Sequence, residues 1–287
     1  MINRYSMRRL ITFALIFYSV LSHGASWQIS YPRPLSDSDL RTAYPVKLLS
    51  LALEQTGVNY RLIPSDKILL QGKALKELAA NREVNVVWSG TNAQREEQLL
   101  PIRIPIFKGL IGWRLLLIRD DMSERFKYIQ KSENLLKLIA VQGHDWPDTK
   151  ILQANGFEVE SANDYESLFA MLRKAQADFF PRSLVEVWGE LANPVLSERL
   201  VLEPNIVIRY PTAMYFFVNK KSVPLANLLE TGLEMAIANG KFEELFLQVH
   251  QEMFNKFNIK ERRFFDMENT FLPEATPLER KELWHQP

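Results

Sequence analysis

The sequence predicts an α/β protein in which strands and helices alternate along most of the chain. Short apolar runs, several rich in β-branched residues, recur between longer segments with helical spacing, which indicates βαβ units and largely parallel sheets. The chain has 287 residues, enough to bury the core of one or two domains. It contains no cysteine, which excludes disulfides, thiol nucleophiles and a lipid anchor on cysteine.

The first 25 residues have the features of an export signal. Three arginines precede an apolar run over residues 10–21, and small residues follow in Ser22-His23-Gly24-Ala25. The run is shorter than the roughly 20 residues that span a bilayer. The sequence therefore predicts a signal peptide over residues 1–25, cleaved near Gly24 or Ala25, with an uncleaved membrane anchor as the alternative.

Charge excludes a nucleic-acid partner. The formal net charge is +1, and three of the positive charges lie in the predicted signal peptide, so the mature chain carries about −2. A nearly balanced chain lacks the basic surface that nucleic acid requires.

The first half of the chain begins with an alternating strand that ends at Tyr31. The next helix has apolar residues at helical spacing and ends at Gly57, a residue suited to a helix end. Asp120-Asp121 ends the last strand of this half. The expected elements are strands at 27–31, 60–64, 84–88 and 112–119, and helices at 44–55, 73–81 and 94–100.

The second half repeats the alternation. Pro147 suits the first position of a helix, and Asn239-Gly240 divides two late helices. The aromatic residues of the tail, 262–284, are expected to pack across the body. The expected elements are strands at 139–142, 157–160, 177–180 and 213–218, and helices at 147–156, 164–176, 184–191 and 224–254.

A candidate anion site lies where the third strand ends, at Trp88-Ser89-Gly90-Thr91, with Arg95 four residues later. Ligands of open α/β sheets collect beyond the carboxyl ends of strands. A guanidinium can bind a carboxylate through two parallel hydrogen bonds. The alternative is a surface helix in which Arg95 pairs with Glu96 or Glu97, or has no partner.

This segment and the following Pro101-Ile102-Arg103-Ile104-Pro105-Ile106-Phe107-Lys108-Gly109 resemble the periplasmic solute-binding proteins of the amino-acid type, family 3. The resemblance implies a two-lobe type II periplasmic-binding fold, each lobe a mainly parallel sheet flanked by helices. Residues 26–118 and 213–287 would form the first lobe and 119–212 the second.

The resemblance also implies roles for individual residues. In the family an arginine holds the ligand's α-carboxylate, which assigns that role to Arg95. Ser89, Gly90 and Thr91 would supply hydroxyl and backbone donors, and Trp88 a wall of the pocket. Tyr31, at the end of the first strand, is a further ligand-binding candidate.

The second lobe is expected to contribute Gly143, His144, Asp145 and Trp146, the loop before the helix at Pro147. Free backbone amides at that helix start would suit an anionic or carbonyl group. The alternative is that Asp145 caps the helix and occupies those amides.

A second segment of that lobe, Arg182-Ser183, departs from the family. Amino-acid binders usually carry an acid near this position to hold the ligand's ammonium, and a guanidinium would repel an ammonium. Either Asp145 or Glu186 holds the ammonium, or the ligand is anionic and lacks one. Alternatively, Arg182 starts a helix and pairs with Glu186.

These observations favour a monomeric periplasmic binding protein that closes two lobes over a small polar or anionic ligand. Its partner would be a membrane transporter or a membrane sensor. An enzyme on the same scaffold and a family member without a ligand remain alternatives. His144 and Glu186 are the only plausible acid-base pair. Nothing in the sequence positions them together, so we expect no catalytic activity, and we expect no metal or cofactor.

Overall fold

A computed structural model of the protein describes residues 26–36 and 39–285. The predicted signal peptide lies outside the described residues. Within them, no helix is long and apolar enough to cross a membrane. The strands are β1 (Trp27–Tyr31), β2 (Tyr60–Pro64), β3 (Val87–Gly90), β4 (Leu99–Ile102), β5 (Trp113–Arg119), β6 (Ile139–Gly143), β7 (Glu158–Ala162), β8 (Phe179–Ser183), β9 (Leu200–Arg209), β10 (Met214–Asn219) and β11 (Arg263–Asp266).

The helices alternate with these strands, as the sequence predicts. The first is ended by Gly57, whose φ of 69° is a left-handed conformation that glycine adopts without strain. The helices are α1 (Ala43–Thr56), α2 (Gln71–Ala79), α3 (Ala93–Gln98), α4 (Ser123–Lys127), α5 (Ser132–Leu135), α6 (Pro147–Ala154), α7 (Tyr165–Arg173), α8 (Val187–Ala192), α9 (Pro194–Ser197), α10 (Val223–Ala238) and α11 (Lys241–Lys256).

Five of the strands in the described residues form the first lobe. β1 pairs with β2, and β10 lies between β3 and β4. The two groups are joined at the approach to β3, because the backbone N–H of Val86 donates to the Ser30 carbonyl at 3.1 Å and the Ser30 N–H donates to the Asn85 side chain at 2.8 Å. Helices α1 and α10 pack on this layer and on each other.

Six strands form the second lobe, in the order β11-β9-β5-β8-β6-β7. Residues 113–118 and 263–266, which the sequence analysis assigns to the first lobe, lie in this sheet as parts of β5 and β11. The chain passes between the lobes from α11 to β11 and also at two neighbouring segments, where the Tyr210 N–H donates to the Gly112 carbonyl at 3.2 Å. These segments are the natural position of a hinge.

Strand directions are more mixed than the expected parallel arrangement. β10 is antiparallel to β3 and β4, and β5 is antiparallel to β8 and β9. A strand that follows a helical crossover runs parallel to its partner, but β10 enters the first lobe directly from the second. Parallel pairing is retained where helices connect the strands, as in β1 with β2 and β6 with β7.

The expected strand at 177–180 is displaced toward its carboxyl end. It runs from Phe179 to Ser183 through Pro181, a residue that usually ends a central strand. Here the ladder to β6 is limited to the pair Ala140 and Phe179, so the missing N–H of Pro181 breaks no bond on that side. The side-chain amide of Gln142 donates to the Pro181 carbonyl at 3.2 Å instead.

Candidate functional site

A cavity of about 620 Å³ lies between the two lobes. The first lobe contributes the loop after β1, the starts of α1 and α2, the end of β3 and one face of α11. The second lobe contributes the loop before α6, the start of α7 and the end of β8 with α8. Small-molecule pockets typically measure about 300–1,000 Å³, so the cleft is large enough for an organic ligand.

Arg95 lies in α3, just beyond the end of β3. The side chain of Asn92 caps this helix by accepting a hydrogen bond from the Arg95 backbone N–H at 2.8 Å. The guanidinium Nη1 donates to Ser89 Oγ at 2.5 Å and to the Gly90 carbonyl at 2.7 Å. The strand end and the arginine that the sequence analysis singled out therefore form one hydrogen-bonded unit.

The other guanidinium nitrogen reaches across the cleft. Arg95 Nη2 donates to Gln71 Oε1 at 3.0 Å in the first lobe and to the Asp145 carbonyl at 2.9 Å in the second. Burial lowers the pKa of Arg95 to about 10, which leaves the side chain charged at neutral pH. All four acceptors of the guanidinium are neutral, so none of these bonds balances its charge.

Glu96, one of the two glutamates that the sequence analysis considers as partners of Arg95, is bound elsewhere. Glu96 accepts a hydrogen bond from Thr91 Oγ1 at 2.7 Å and forms an ion pair with Arg103. Its carboxylate is thus engaged on the far side of α3, while the Arg95 guanidinium turns toward β3 and the second lobe.

Asp145 contacts the first lobe as well. A Cβ atom added to Gly72 would lie 2.3 Å from Asp145 Oδ2, so the aspartate rests against the first turn of α2. The N-cap position of α6 is Trp146, which makes no side-chain capping bond, and Pro147 occupies the first helical turn. Asp145 thus joins the two lobes.

Arg182 is almost completely buried in the second lobe, with 1% of its surface exposed. It lies in β8 and not at a helix start. Its Nε and Nη2 bind both oxygens of Glu190 at 2.6–3.0 Å, and Nη2 also contacts Glu186 at 3.2 Å. The carboxylate of Glu190 also accepts a hydrogen bond from Tyr165 Oη at 2.6 Å. The positive charge is therefore balanced inside the lobe.

Aromatic rings surround these charges. The Arg182 guanidinium lies 4.9 Å from the Trp146 ring, and the Arg41 guanidinium lies 3.8 Å from the Tyr165 ring. Arg41 belongs to the first lobe and forms an ion pair with Asp39 at 2.8 Å. Its contact with Tyr165 is a second point at which the lobes meet, of the cation–π type.

A further ion pair, between Arg114 and Asp148, lines the cavity. Arg114 forms a buried ion pair with Asp148, which also accepts a hydrogen bond from the Tyr210 hydroxyl. Glu186 lies between the two buried arginines, 3.9 Å from Arg114 Nη1. Burial raises the pKa of Tyr210 well above its usual value, so the phenol remains a donor.

The structure brings half of the predicted ligand-binding residues to the wall of the cavity. These six residues come from both lobes and are Trp88, Gly90, Gly143, Asp145, Trp146 and Arg182. The other six make contacts beside the cavity and are Tyr31, Ser89, Thr91, Arg95, His144 and Ser183. Their roles in ligand binding stay predictions.

His144 and Glu186, the candidate acid-base pair, each contact other residues. His144 is exposed, and its Nδ1 lies 3.4 Å from Ser161 Oγ. Glu186 instead contacts the two buried arginines, Arg182 and Arg114.

Sequence reasoning missed several charged residues that line the cavity, among them Arg41, Arg114, Asp148 and Glu190. One of them had a signal, because Arg114 interrupts the apolar run from Trp113 to Ile118 and a charge inside a buried strand needs a partner. The others occupy ordinary polar segments, and only the fold brings them to the cleft.

Neither a protein-family model nor a curated protein matches the chain. Solved structures resemble it along most of its length. Periplasmic binding protein STM4351 of Salmonella typhimurium, described as highly specific for arginine, has a TM-score of 0.58 at 10% identity, covering 79% of this chain and 98% of its own. A binding component of an ABC transporter from Wolinella succinogenes, complexed with lysine, has a TM-score of 0.57 at 13% identity, covering 78% and 94%.

A histidine kinase sensor domain with similarity to periplasmic binding proteins has a TM-score of 0.56 at 14% identity, covering 78% of this chain and 95% of its own. At such identities the likeness establishes the fold alone. The chain has a type II periplasmic-binding-protein-like α/β fold, and the fold class predicted from the sequence is confirmed.

Proposed function

We propose that this protein binds a small organic ligand between its two lobes and presents the closed, ligand-bound form to a membrane transporter or sensor. The observation that carries the proposal is the cavity of about 620 Å³, whose wall is built from both lobes. A ligand that contacts both walls stabilises the closed arrangement, and closure excludes water from its charged contacts.

We propose Arg95 as the anchor for the ligand's carboxylate. Arg182 is fully balanced by Glu190 and Glu186, whereas the hydrogen bonds of Arg95 all go to neutral acceptors. A ligand carboxylate that displaced Gln71 and the Asp145 carbonyl would gain two charge-assisted hydrogen bonds and neutralise the guanidinium.

The remaining parts of the proposal concern place and partner. The predicted signal peptide supports export to the periplasm, and we propose that the protein acts there as a soluble monomer. The mass of the protein recovered from a periplasmic extract tests cleavage near Ala25. Similarity to both transporter components and a kinase sensor domain supports either transport or sensing. We propose binding without chemical change, which turnover of the co-purified ligand would contradict.

The test begins with native mass spectrometry of protein purified from the periplasm, which identifies any retained small molecule. Calorimetry then compares wild type with Arg95→Ala. Loss of a charge-assisted bidentate contact should weaken binding by on the order of a hundredfold, equivalent to about 3 kcal/mol. Arg61→Ala, an exposed arginine on β2, is the matched control. Wild-type affinity in Arg95→Ala would overturn the anchor.

A further inference from the structure

The end of the cavity beneath α11 differs from the charged end described above. Three rings pack together there, with the centroids of Tyr44 and His250 4.7 Å apart and those of Phe107 and His250 6.0 Å apart. Met253 on α11 and Trp188 on α8 continue the wall. We call this region the α11 pocket and define it by these five residues, which belong to both lobes.

Three polar atoms of the α11 pocket are buried without a hydrogen-bond partner among the described residues. They are Tyr44 Oη, Trp188 Nε1 and His250 Nε2. Tyr44 is 3% exposed and His250 is 6% exposed. Buried polar groups without a partner are rare, because each forfeits its hydrogen bonds to water. All three residues line the same cavity, which places their unpartnered groups beside a space that a bound molecule would fill.

The polar groups of the pocket are also uncharged. Burial lowers the pKa of His250 to about 4, which leaves a neutral imidazole at pH 7. Burial, with the nearby Glu243 carboxylate, raises the pKa of Tyr44, which leaves a protonated phenol. Lys256, at the rim, is paired with Glu252. The five residues that define the pocket therefore carry no charge at pH 7, while Lys256 Nζ lies 5.8 Å from the Trp188 ring.

We infer that the α11 pocket is a second ligand subsite, which binds an uncharged, mainly apolar group carrying a hydroxyl or carbonyl oxygen. The inference rests on the proposed function, in which Arg95 holds a carboxylate. The ligand class is then an organic acid with an apolar body and a neutral oxygen at its far end. Tyr44 and Trp188 would donate to that oxygen, and the imidazole of His250 would accept from a hydroxyl or donate, according to its tautomer.

The probes that test the subsite are 4-hydroxyphenylacetate and phenylacetate, which differ in one hydroxyl group. Calorimetry on the wild-type protein should show roughly fivefold to tenfold tighter binding of 4-hydroxyphenylacetate, the gain expected from one net hydrogen bond. Equal affinities, or no binding of 4-hydroxyphenylacetate at millimolar concentration, would overturn the inference.

Two kinds of variant locate the binding. Tyr44→Phe and His250→Leu remove the polar atoms and should reduce the preference for the hydroxyl. Gly189→Leu adds volume at a position that lines the cavity, where a Cβ would meet nothing within 4 Å. It should keep the wild-type melting temperature and weaken 4-hydroxyphenylacetate binding at least tenfold. Unchanged affinity in Gly189→Leu would also overturn the subsite.

Arg95→Ala separates this inference from the proposed function. It should weaken both probes equally and leave their affinity ratio unchanged, because the hydrogen bonds of the Arg95 guanidinium go to Ser89, Gly90, Gln71 and Asp145 and to none of the five residues of the pocket. If Arg95→Ala binds both probes like wild type while the ratio persists, the proposed anchor fails and the subsite stands. Arg61→Ala should behave as wild type with both probes.

Discussion

The two arginines that sequence analysis placed at the site illustrate how the same side chain serves different purposes. Arg182 is buried against two carboxylates and holds the second lobe together. Arg95 is half-buried, has neutral acceptors and spans the cleft. Removing Arg182 leaves a buried negative charge without a partner, whereas removing Arg95 leaves only neutral acceptors without one.

Arg182→Met should therefore destabilise the protein by about 3–5 kcal/mol, because Glu190 is left buried without its cation. The double variant Arg182→Met with Glu190→Leu should recover more than half of that loss, since no unpaired charge remains. Urea unfolding of the two variants measures both values. Equal destabilisation of the single and double variants would show that the ion pair is not the source.

His250 makes stability depend on pH. Its folded pKa is lowered to about 4 by burial, while the unfolded side chain titrates near 6.5. Between these values the unfolded state binds a proton that the native state does not, so stability falls as the pH decreases from about 6.5 to about 4.

His250→Leu removes this contribution. Between pH 7.5 and pH 5 the variant should lose about 2 kcal/mol less stability than wild type, measured by urea unfolding at both pH values. Parallel pH dependence of the two proteins would show that the buried imidazole does not titrate as described.

Half of the ligand-binding residues predicted from the sequence lie at the cavity wall, and most of the charge pairs there were missed. The strand-end motif and the loop before α6 were visible because local patterns mark a strand end and a helix start. Glu190 and Asp148 were not, since each meets its arginine only after a helix has packed against a strand. The ligand-binding role of Arg95 stays a prediction, and its bond to the Asp145 carbonyl depends on the approach of the second lobe.

At the scale of elements, α1 and α10 approach each other closely in the first lobe. A Cβ atom at Gly232 would lie 1.9 Å from the Ala52 carbonyl oxygen. No side-chain rearrangement relieves a clash with backbone, so the helices would have to separate.

Gly232→Ala should cost about 2 kcal/mol or more in unfolding free energy, as overpacked cores typically do. Gly189→Ala is the matched control, a helical glycine whose added Cβ meets nothing within 4 Å, and it should be neutral or slightly stabilising. Thermal unfolding of both variants decides the point. If Gly232→Ala melted like wild type, the close helix contact would be excluded.

Element boundaries followed the sequence where local signals were strong. β1 and β2 have the expected bounds, and α1 is extended by one residue at each end. β9 was not anticipated, because Glu203 and Pro204 interrupt its apolar pattern. Glu203 is buried, and its carboxylate accepts hydrogen bonds from the backbone N–H groups of Asn205 and Ile206. Hydrogen bonds that satisfy a buried carboxylate in this way cannot be read from the spacing of apolar residues in the sequence.

At the scale of the whole molecule, the lobes are already in contact through Arg95 with Asp145 and Arg41 with Tyr165. These contacts close the cleft around its cavity. Removing these contacts would therefore free the lobes to change their relative angle at the segments near Gly112 and Tyr210.

The double variant Arg41→Ala with Arg95→Ala should therefore open the protein. Small-angle scattering should show a larger radius of gyration than wild type, with an unchanged helix content by circular dichroism. Arg61→Ala should scatter like wild type. An unchanged radius in the double variant would mean that the lobes form one rigid body, held by the hinge segments themselves.

The position of β10 also determines when the first lobe can be completed. β10 is the middle strand between β3 and β4, yet it follows β5 through β9 in the chain. During synthesis the edges of β3 and β4 therefore stay unpaired until the strands of the other lobe have been made. Pairings between strands that are distant in the sequence form slowly. A chain ending at residue 213 would keep both edges exposed, and we expect that fragment to aggregate where the full chain remains dispersed.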